Sequence, residues 1–140
     1  MSERSLDDVD QVLEAYAALW EGDFSELDSA AEDIHVRDPA HPDGELRGRT
    51  ALEARIRGVL EAFPDFHTRI DRQVRDGDTV MMEWTMTGTH EGEYAGIPPT
   101  GEEMAVGGMS TVVVEDGQVQ ADRLYFDTQE MLAQLGLTEK

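Results

Sequence analysis

Three side chains that commonly bind metals recur at steps of three in the segment HVRDPAHPD, namely His35, Asp38 and His41. Imidazole and carboxylate groups ligate divalent cations such as zinc, but a structural zinc site needs closed tetrahedral coordination. Prolines within the segment leave the geometry unspecified, and the three side chains make an incomplete set. Because the chain has no cysteine, thiolate nucleophiles and cysteine-based zinc sites are also excluded. We therefore expect no metal site.

Another histidine, His90, ends a run in which Val80, Met82, Trp84 and Met86 occupy alternate positions. Strands place alternate side chains on one face, so His90 would share the apolar face of this strand. Imidazole titrates near neutral pH, and such a side chain could orient or protonate a substrate carbonyl. The alternative is a solvent-exposed histidine in a hairpin, and the pattern leaves both open.

Asp127 follows the apolar run Leu124, Tyr125 and Phe126. A carboxyl group whose pKa is raised by an apolar pocket can remove a proton from carbon and then protonate an alkoxide, without a metal. With Glu130 three residues on, Asp127 also fits the N-cap position of a C-terminal helix. The two roles conflict, because hydrogen bonds from helix N–H groups lower the pKa of a carboxylate.

The composition limits the compartment and the partners. The 140 residues include 31 acidic and 11 basic side chains, for a net charge of -20. This length fits a single domain over residues 1–140, and the charge would repel nucleic acids and anionic membranes. The N-terminus, MSERSLDDVD, is acidic and polar, unlike a signal peptide. We expect a soluble, cytoplasmic protein.

The carboxylate excess also bears on the salt environment. Charge of one sign destabilises a compact state, unless salt shortens the Debye length to about 3 Å, as it does at about 1 M. The only lysine is Lys140. We therefore favour a halophilic protein over an ordinary acidic one, and we interpret most carboxylates as solvated surface.

Apolar spacing predicts helices first and strands afterwards. Steps of three and four residues predict three helices, over 6–20, 24–31 and 50–63. Pro64 would end the third of them. Prolines and glycines in DIHVRDPAHPDGELRG indicate a short strand followed by a loop. Period-two spacing predicts four further strands: 67–75, 79–90, 104–115 and 118–126. A final helix over 128–135 would end at Gly136. This order predicts an α+β fold, in which a curved antiparallel sheet forms a cone with the N-terminal helices packed over its open face. Cones of this size usually enclose a pocket.

Three segments together resemble the SnoaL-like polyketide cyclase (ester cyclase) family, within the nuclear transport factor 2-like superfamily: EAFPDF, GTHEGEYAGIPPTG and VEDGQVQADRLYFDTQEMLAQLG. The resemblance implies a nuclear transport factor 2-like (cystatin-like) roll with an apolar cavity between the sheet and the N-terminal helices. It also implies closure of a ring by an intramolecular aldol step, with no cofactor. The family's acid/base aspartate ends the last strand, a position that matches Asp127. Where many relatives have a His-Trp pair, this chain has Asp122 and Arg123.

Alternate positions at the end of the last predicted strand are occupied by Arg123, Tyr125 and Asp127, so these side chains could face the same cavity. There Arg123 would pair with a carboxylate or bind an anionic group. The methionine and aromatic residues at alternate strand positions, Trp84 and Met86 among them, could line the cavity, although such a stripe more often belongs to the core. We expect about half of these residues to be core. We expect Pro98 to stiffen the lip of the pocket. The predicted catalytic residues are Asp127 and His90. The predicted substrate-binding residues are Tyr16, Trp20, Asp38, Phe63, Trp84, Met86, Tyr94, Pro98, Met109, Arg123 and Tyr125.

The expected function is therefore a cofactor-independent cyclase, isomerase or lyase that acts on a small apolar carbonyl compound. The alternative is a ligand-binding or dimerising module that keeps the cone without the chemistry, because fold alone does not fix function. The resemblance to the family also suggests a homodimer.

Overall fold

The computed structural model describes the backbone of residues 4–137 and the side chains of residues 9–137. Within this part of the chain, helices precede most of the strands, as predicted. The elements in chain order are α1 (Arg4–Trp20), a 3-10 helix (Phe24–Ser29), β1 (Ala30–Arg37), β2 (Glu45–Arg47), α2 (Arg49–Ala62), β3 (His67–Asp76), β4 (Thr79–Thr89), β5 (Glu103–Glu115), β6 (Gln118–Phe126) and α3 (Thr128–Gln134).

The strands form one six-stranded sheet in the order β2-β1-β6-β5-β4-β3. Hairpins join β3 to β4, β4 to β5 and β5 to β6, so these neighbours are antiparallel. The expected α+β fold with a curved sheet and helices packed on it is confirmed. Two details differ from the prediction: β2 is an additional short strand, and β1 pairs with β6 in parallel.

The strand register decides which side chains face the helices. Asp122 of β6 is paired with Val112 of β5, which is paired with Val80 of β4, and the two valines are buried core residues. This face is the inner face of the sheet. Arg123 is paired with Thr111 and therefore lies on the outer face. Adjacent residues of β6 thus point to opposite sides, as the pleat requires.

Helices α1 and α2 bury apolar stripes against the inner face. Leu19, Leu52 and Ile56 are fully buried, and each such side chain contributes about 1.5–3 kcal/mol to folding through burial. Three half-buried residues, Trp20, Met82 and Leu124, pack against both of the two apolar clusters of the core. The same three residues also line a cavity.

The segment 90–101, which connects β4 to β5, is fixed to the end of α2. The amide groups of Glu91 and Gly92 both donate to the carbonyl oxygen of Ala62. A Cβ atom at position 92 would lie 1.9 Å from the carbonyl oxygen of Glu61, so only glycine fits there. This attachment places Tyr94 against Phe63, with ring centroids 5.6 Å apart, at the wall of the cavity.

Candidate active site

A cavity of about 140 Å³ lies between the inner face of the sheet and the helices. An engineered apolar cavity of about 150 Å³ binds benzene, so the space fits roughly one six-membered ring. Most of the wall is apolar and aromatic, which suits a compound with little polarity. The charged side chains of the wall are Asp38, Arg55 and Asp122.

Asp122 is the carboxyl group that faces the inner side of β6, and only 4% of its surface is exposed. The Tyr16 hydroxyl of α1 donates a hydrogen bond of 2.7 Å to its Oδ2 atom. Its Oδ1 atom is buried and accepts no hydrogen bond from the residues that the structure describes. One oxygen is thus held in place by a hydrogen bond, and the other has no hydrogen-bond partner among the described residues.

The environment of Asp122 favours the protonated carboxyl. Burial raises the pKa of Asp122 to about 7, while the hydrogen bond from Tyr16 lowers it and the charge of Asp38 raises it. The neighbouring Ser110 hydroxyl also lowers it, although it forms no hydrogen bond of normal distance and angle to the carboxyl. Burial, followed by the charge of Asp122, also raises the pKa of Tyr16 well above its ordinary value. Tyr16 therefore keeps its proton, and remains a hydrogen-bond donor, over the pH range in which Asp122 changes its protonation state.

Asp38, which follows β1, is buried but fully hydrogen-bonded. Its Oδ1 accepts from the amide of Ala40 at 2.9 Å, and its Oδ2 accepts from Nε of Arg55 at 3.0 Å. The guanidinium of Arg55 compensates the buried charge, which would otherwise be costly. Both oxygens of Asp38 thus have protein partners, whereas Oδ1 of Asp122 has none among the described residues.

Trp84 forms a rigid part of the cavity wall. Its Nε1 donates to the Ser110 hydroxyl at 2.8 Å, and its ring meets Phe126 edge to face at 6.0 Å. A Cβ atom at Gly108 would lie 2.4 Å from the indole, so glycine leaves the space that the ring occupies. The ring is thus held in place against the inner face of β5.

Comparison with known protein families shows to which family the chain belongs. The sequence model of the SnoaL-like polyketide cyclases matches residues 10–135. The chain belongs to the SnoaL-like polyketide cyclase family. No curated protein matches the sequence.

Several solved structures resemble this SnoaL-like chain. TsrD from Streptomyces laurentii is 28% identical, with 94% of this chain and 97% of that chain covered and a TM-score of 0.81. IdmH from Streptomyces antibioticus, provisionally assigned as a polyketide cyclase, is 27% identical, with coverage of 91% and 98% and a TM-score of 0.77. A SnoaL-like protein from Jannaschia sp. CCS1 is 20% identical, with coverage of 94% and 93% and a TM-score of 0.81, and supports the fold alone.

The structure does not place Asp127 in the cavity of this SnoaL-like domain. Asp127 is exposed and is the N-cap of α3, where its Oδ1 accepts from the amides of Gln129 at 2.9 Å and Glu130 at 3.2 Å. The helix-cap interpretation is correct. The prediction of a cavity-facing base at this position is wrong, because residues of β6 with its parity face outward.

The placement of His90 differs from both interpretations of the sequence. The side chain is fully buried, so it is not an exposed hairpin residue, but it lies behind Phe63 and Tyr94 and forms no part of the cavity wall. Its Nδ1 accepts from the amide of Thr100 at 3.3 Å and lies 3.1 Å from the Thr100 hydroxyl, while Nε2 is buried with no hydrogen-bond partner among the described residues. This hydrogen bond ties the two ends of the 90–101 segment together.

Four of the predicted binding residues also lie outside the cavity. Met109, Arg123 and Tyr125 are on the outer face of the sheet, and Pro98 is exposed and does not reach the wall. The side chains of Arg123, Tyr125 and Asp127 do point to one side, as predicted, but that side is the outer face of the sheet and not the face that lines the cavity. The remaining seven do line the cavity: Tyr16, Trp20, Asp38, Phe63, Trp84, Met86 and Tyr94.

Sequence reasoning missed two of the three charged residues of the wall, Asp122 and Arg55. Asp122 has the parity of Leu124 and Phe126, and a carboxyl on an apolar strand face is a signal of function. Arg55 lies at helical spacing from the buried Leu52 and Val59. A charged residue within that buried stripe is the corresponding signal in α2.

The residues that suggested a metal site have other partners. Nε2 of His35 contacts Oε1 of Glu45 at 2.6 Å, and Asp38 binds Arg55. Among the described residues, no group of three or more histidine, aspartate or glutamate side chains is arranged to hold a metal ion. Within the same part of the chain, no helix is both long and apolar enough to cross a membrane.

Proposed function

We propose that the protein is a cofactor-independent cyclase or isomerase that moves a proton at a carbon next to a carbonyl group, with Asp122 as the acid/base. One observation carries this proposal. A buried carboxyl with a pKa raised to about 7 and one oxygen without a partner lines an apolar cavity. A general base is most effective when its pKa lies near the working pH.

The reaction needs only one carboxyl group. Ionised Asp122 removes a proton from the carbon, and the electron pair of the broken C–H bond moves onto the carbonyl oxygen to give an enolate. In a cyclisation, the enolate carbon forms a bond to a second carbonyl carbon of the same molecule, and the resulting alkoxide takes the proton from Asp122. In an isomerisation, the proton returns to a different carbon. Either way, Asp122 ends in the state in which it began.

The cavity defines the kind of substrate. A volume of about 140 Å³ admits roughly one ring, and the wall around it is mostly apolar and aromatic. We therefore propose a small and mostly apolar carbonyl compound as the substrate.

Hydrogen–deuterium exchange at the α-carbon of cyclohexanone, followed by proton NMR, tests this proposal. We expect wild type to accelerate exchange and Asp122→Asn to lose about 100-fold or more, the usual contribution of a general base. Asp127→Asn is the matched control, because it neutralises an exposed aspartate near the same strand and should keep the wild-type rate. Equal rates for wild type and Asp122→Asn would overturn the proposal and, if cyclohexanone still binds, would favour the binding-module alternative.

We also propose that the protein is a homodimer formed through the outer face of the sheet. Four apolar side chains on neighbouring strands are exposed there: Val74, Met81, Met109 and Tyr125. Arginines lie among them, including Arg72, which faces Glu83 at 3.9 Å, and Arg123. In a chain with a net charge of -20, arginines on this face reduce its repulsion of a second copy.

We further propose that the protein works in a salt-rich cytoplasm. Self-repulsion among the 31 acidic side chains opposes folding at low ionic strength, and salt screens it. The melting temperature should therefore rise steadily between about 0.1 and 1 M KCl. A melting temperature that falls or stays constant over this range would contradict halophilic adaptation.

A further inference from the structure

Arg55 of α2 has hydrogen-bonding capacity that its protein partners do not use. Its Nε atom donates to Asp38, and its side chain is 15% exposed and forms part of the cavity wall. A guanidinium also carries donors on both terminal amino groups. No hydrogen bond joins these groups to any other residue in the described part of the chain.

The ion pair with Asp38 fixes the guanidinium in place. Asp38 is itself held by the amide of Ala40 and is 3% exposed. A buried charge pair of this kind costs desolvation energy, so the fold maintains a cation beside the cavity at some expense to stability. Donors that are oriented before the substrate arrives need little reorganisation during the reaction.

We propose that Arg55 is a second catalytic residue, which binds the carbonyl oxygen of the substrate through its terminal amino groups and stabilises the enolate. This inference rests on the proposed function, because the enolate forms when Asp122 removes the proton. The negative charge that leaves the C–H bond settles on an oxygen bonded to Arg55, and that hydrogen bond strengthens as the charge develops. Asp38 acts as a positioning residue, since it holds Arg55.

This assignment restricts the substrate class. The acidic C–H bond must be next to a ketone or ester oxygen, so that Asp122 and Arg55 act on adjacent atoms of one group. A hydrocarbon or an alcohol offers no oxygen on which negative charge can develop, and would bind without reacting. Simple cyclic ketones and their enolates therefore serve as probes.

The experiment compares two probes of similar ring size by calorimetric titration. Cyclohexane-1,3-dione is an enolate anion near neutral pH, whereas cyclohexanone is neutral. We expect wild type to prefer the dione, and Arg55→Gln to lose about tenfold or more in affinity for the dione, the range for hydrogen bonds to a charged group. The affinity for cyclohexanone should fall much less. The exchange rate of cyclohexanone should fall about 100-fold, as when an oxyanion-hole donor is removed.

Two further variants make the result specific. Arg57→Gln removes a positive charge from the exposed side of the same helix, where Arg57 pairs with Glu53, and should bind both probes as wild type does. Arg55→Gln leaves the buried charge of Asp38 without its partner and could fail to fold. The double variant Asp38→Asn/Arg55→Gln removes both charges, and it should also lose the preference for the dione.

The outcomes separate this inference from the proposed function. If the double variant keeps both wild-type affinity for the dione and the wild-type exchange rate, the role of Arg55 is wrong, even if Asp122→Asn abolishes exchange. If Asp122→Asn exchanges as fast as wild type while the Arg55 variants lose the dione, the base is misassigned and the anion-binding site stands. Asp122→Asn should itself keep or increase affinity for the dione, because it removes a negative charge from the cavity.

Discussion

The hydroxyl of Tyr16 donates a 2.7 Å hydrogen bond to Oδ2 of Asp122, and this bond joins helix α1 to strand β6 inside the core. The two residues are 106 positions apart in the sequence. The hydrogen bond stabilises the ionised carboxylate, while burial favours the neutral acid. The balance leaves the pKa of Asp122 at about 7, where both protonation states are populated near neutral pH.

Tyr16→Phe should raise the pKa of Asp122 further. The substitution removes the hydrogen bond that lowers this pKa and leaves burial as the dominant effect. If Asp122 is the base, the pH at which exchange reaches half its maximum rate should move upward. A pH profile that stays in place, in a folded variant with reduced activity, would mean that Tyr16 has only a structural role.

Asp122 should make the protein less stable as pH rises from about 4 to about 7. Its pKa is raised in the folded state, so the folded state binds more protons than the unfolded state throughout this window. The free energy of unfolding should fall by about 4 kcal/mol across this window, because the window spans about three pH units and each is worth about 1.4 kcal/mol. Denaturant unfolding of wild type and Asp122→Asn at several pH values isolates the effect. Parallel pH dependences for the two proteins would show that Asp122 has an ordinary pKa.

Gly108→Ala should destabilise the fold and disturb the cavity. The added Cβ would lie 2.4 Å from the Trp84 ring and 2.8 Å from the carbonyl oxygen of Tyr125. Overpacking of this kind costs about 1–3 kcal/mol. Gly107→Ala is a matched control, since the nearest atom to its Cβ would lie at 3.9 Å. Thermal unfolding that ranks the two variants equally would contradict a tight contact between Gly108 and Trp84.

Met109→Asp should convert the proposed homodimer into a monomer. Met109 is 47% exposed and paired with Tyr125 on the outer face of the sheet, where a carboxylate would be buried in the proposed interface. Ala54→Asp adds the same charge to an exposed position of α2 and should leave the dimer intact. Sedimentation velocity measures both. A wild-type protein that sediments as a monomer would overturn the proposed dimer.

The pattern of β4 was sufficient to predict its buried face. Val80, Trp84 and Met86 alternate with mostly polar residues, and all three are buried. The orientation of β6 was not predictable in the same way, because Leu124 and Phe126 on one face and Tyr125 on the other are all apolar. Burying the Leu124 face requires burying Asp122 as well, which pattern rules disfavour.

Other parts of the site depend on contacts between distant segments. The parallel pairing of β1 with β6 joins strands separated by most of the chain, and hairpin signals carry no information about it. The ion pair between Asp38 and Arg55 depends on how a loop after β1 meets α2. The resemblance to the family predicted the fold and the cavity, but it assigned the acid/base to Asp127, which this chain uses as a helix cap.

Carboxyl-carbon NMR of Asp122 tests the central claim most directly. The resonance is assigned by its loss in Asp122→Asn and is followed from about pH 3 to pH 9, a range that spans the ordinary and the raised pKa. A midpoint at about 7 is the predicted result. A midpoint at or below about 4, the ordinary value for aspartate, would contradict the claim that the fold prepares this carboxyl as an acid/base.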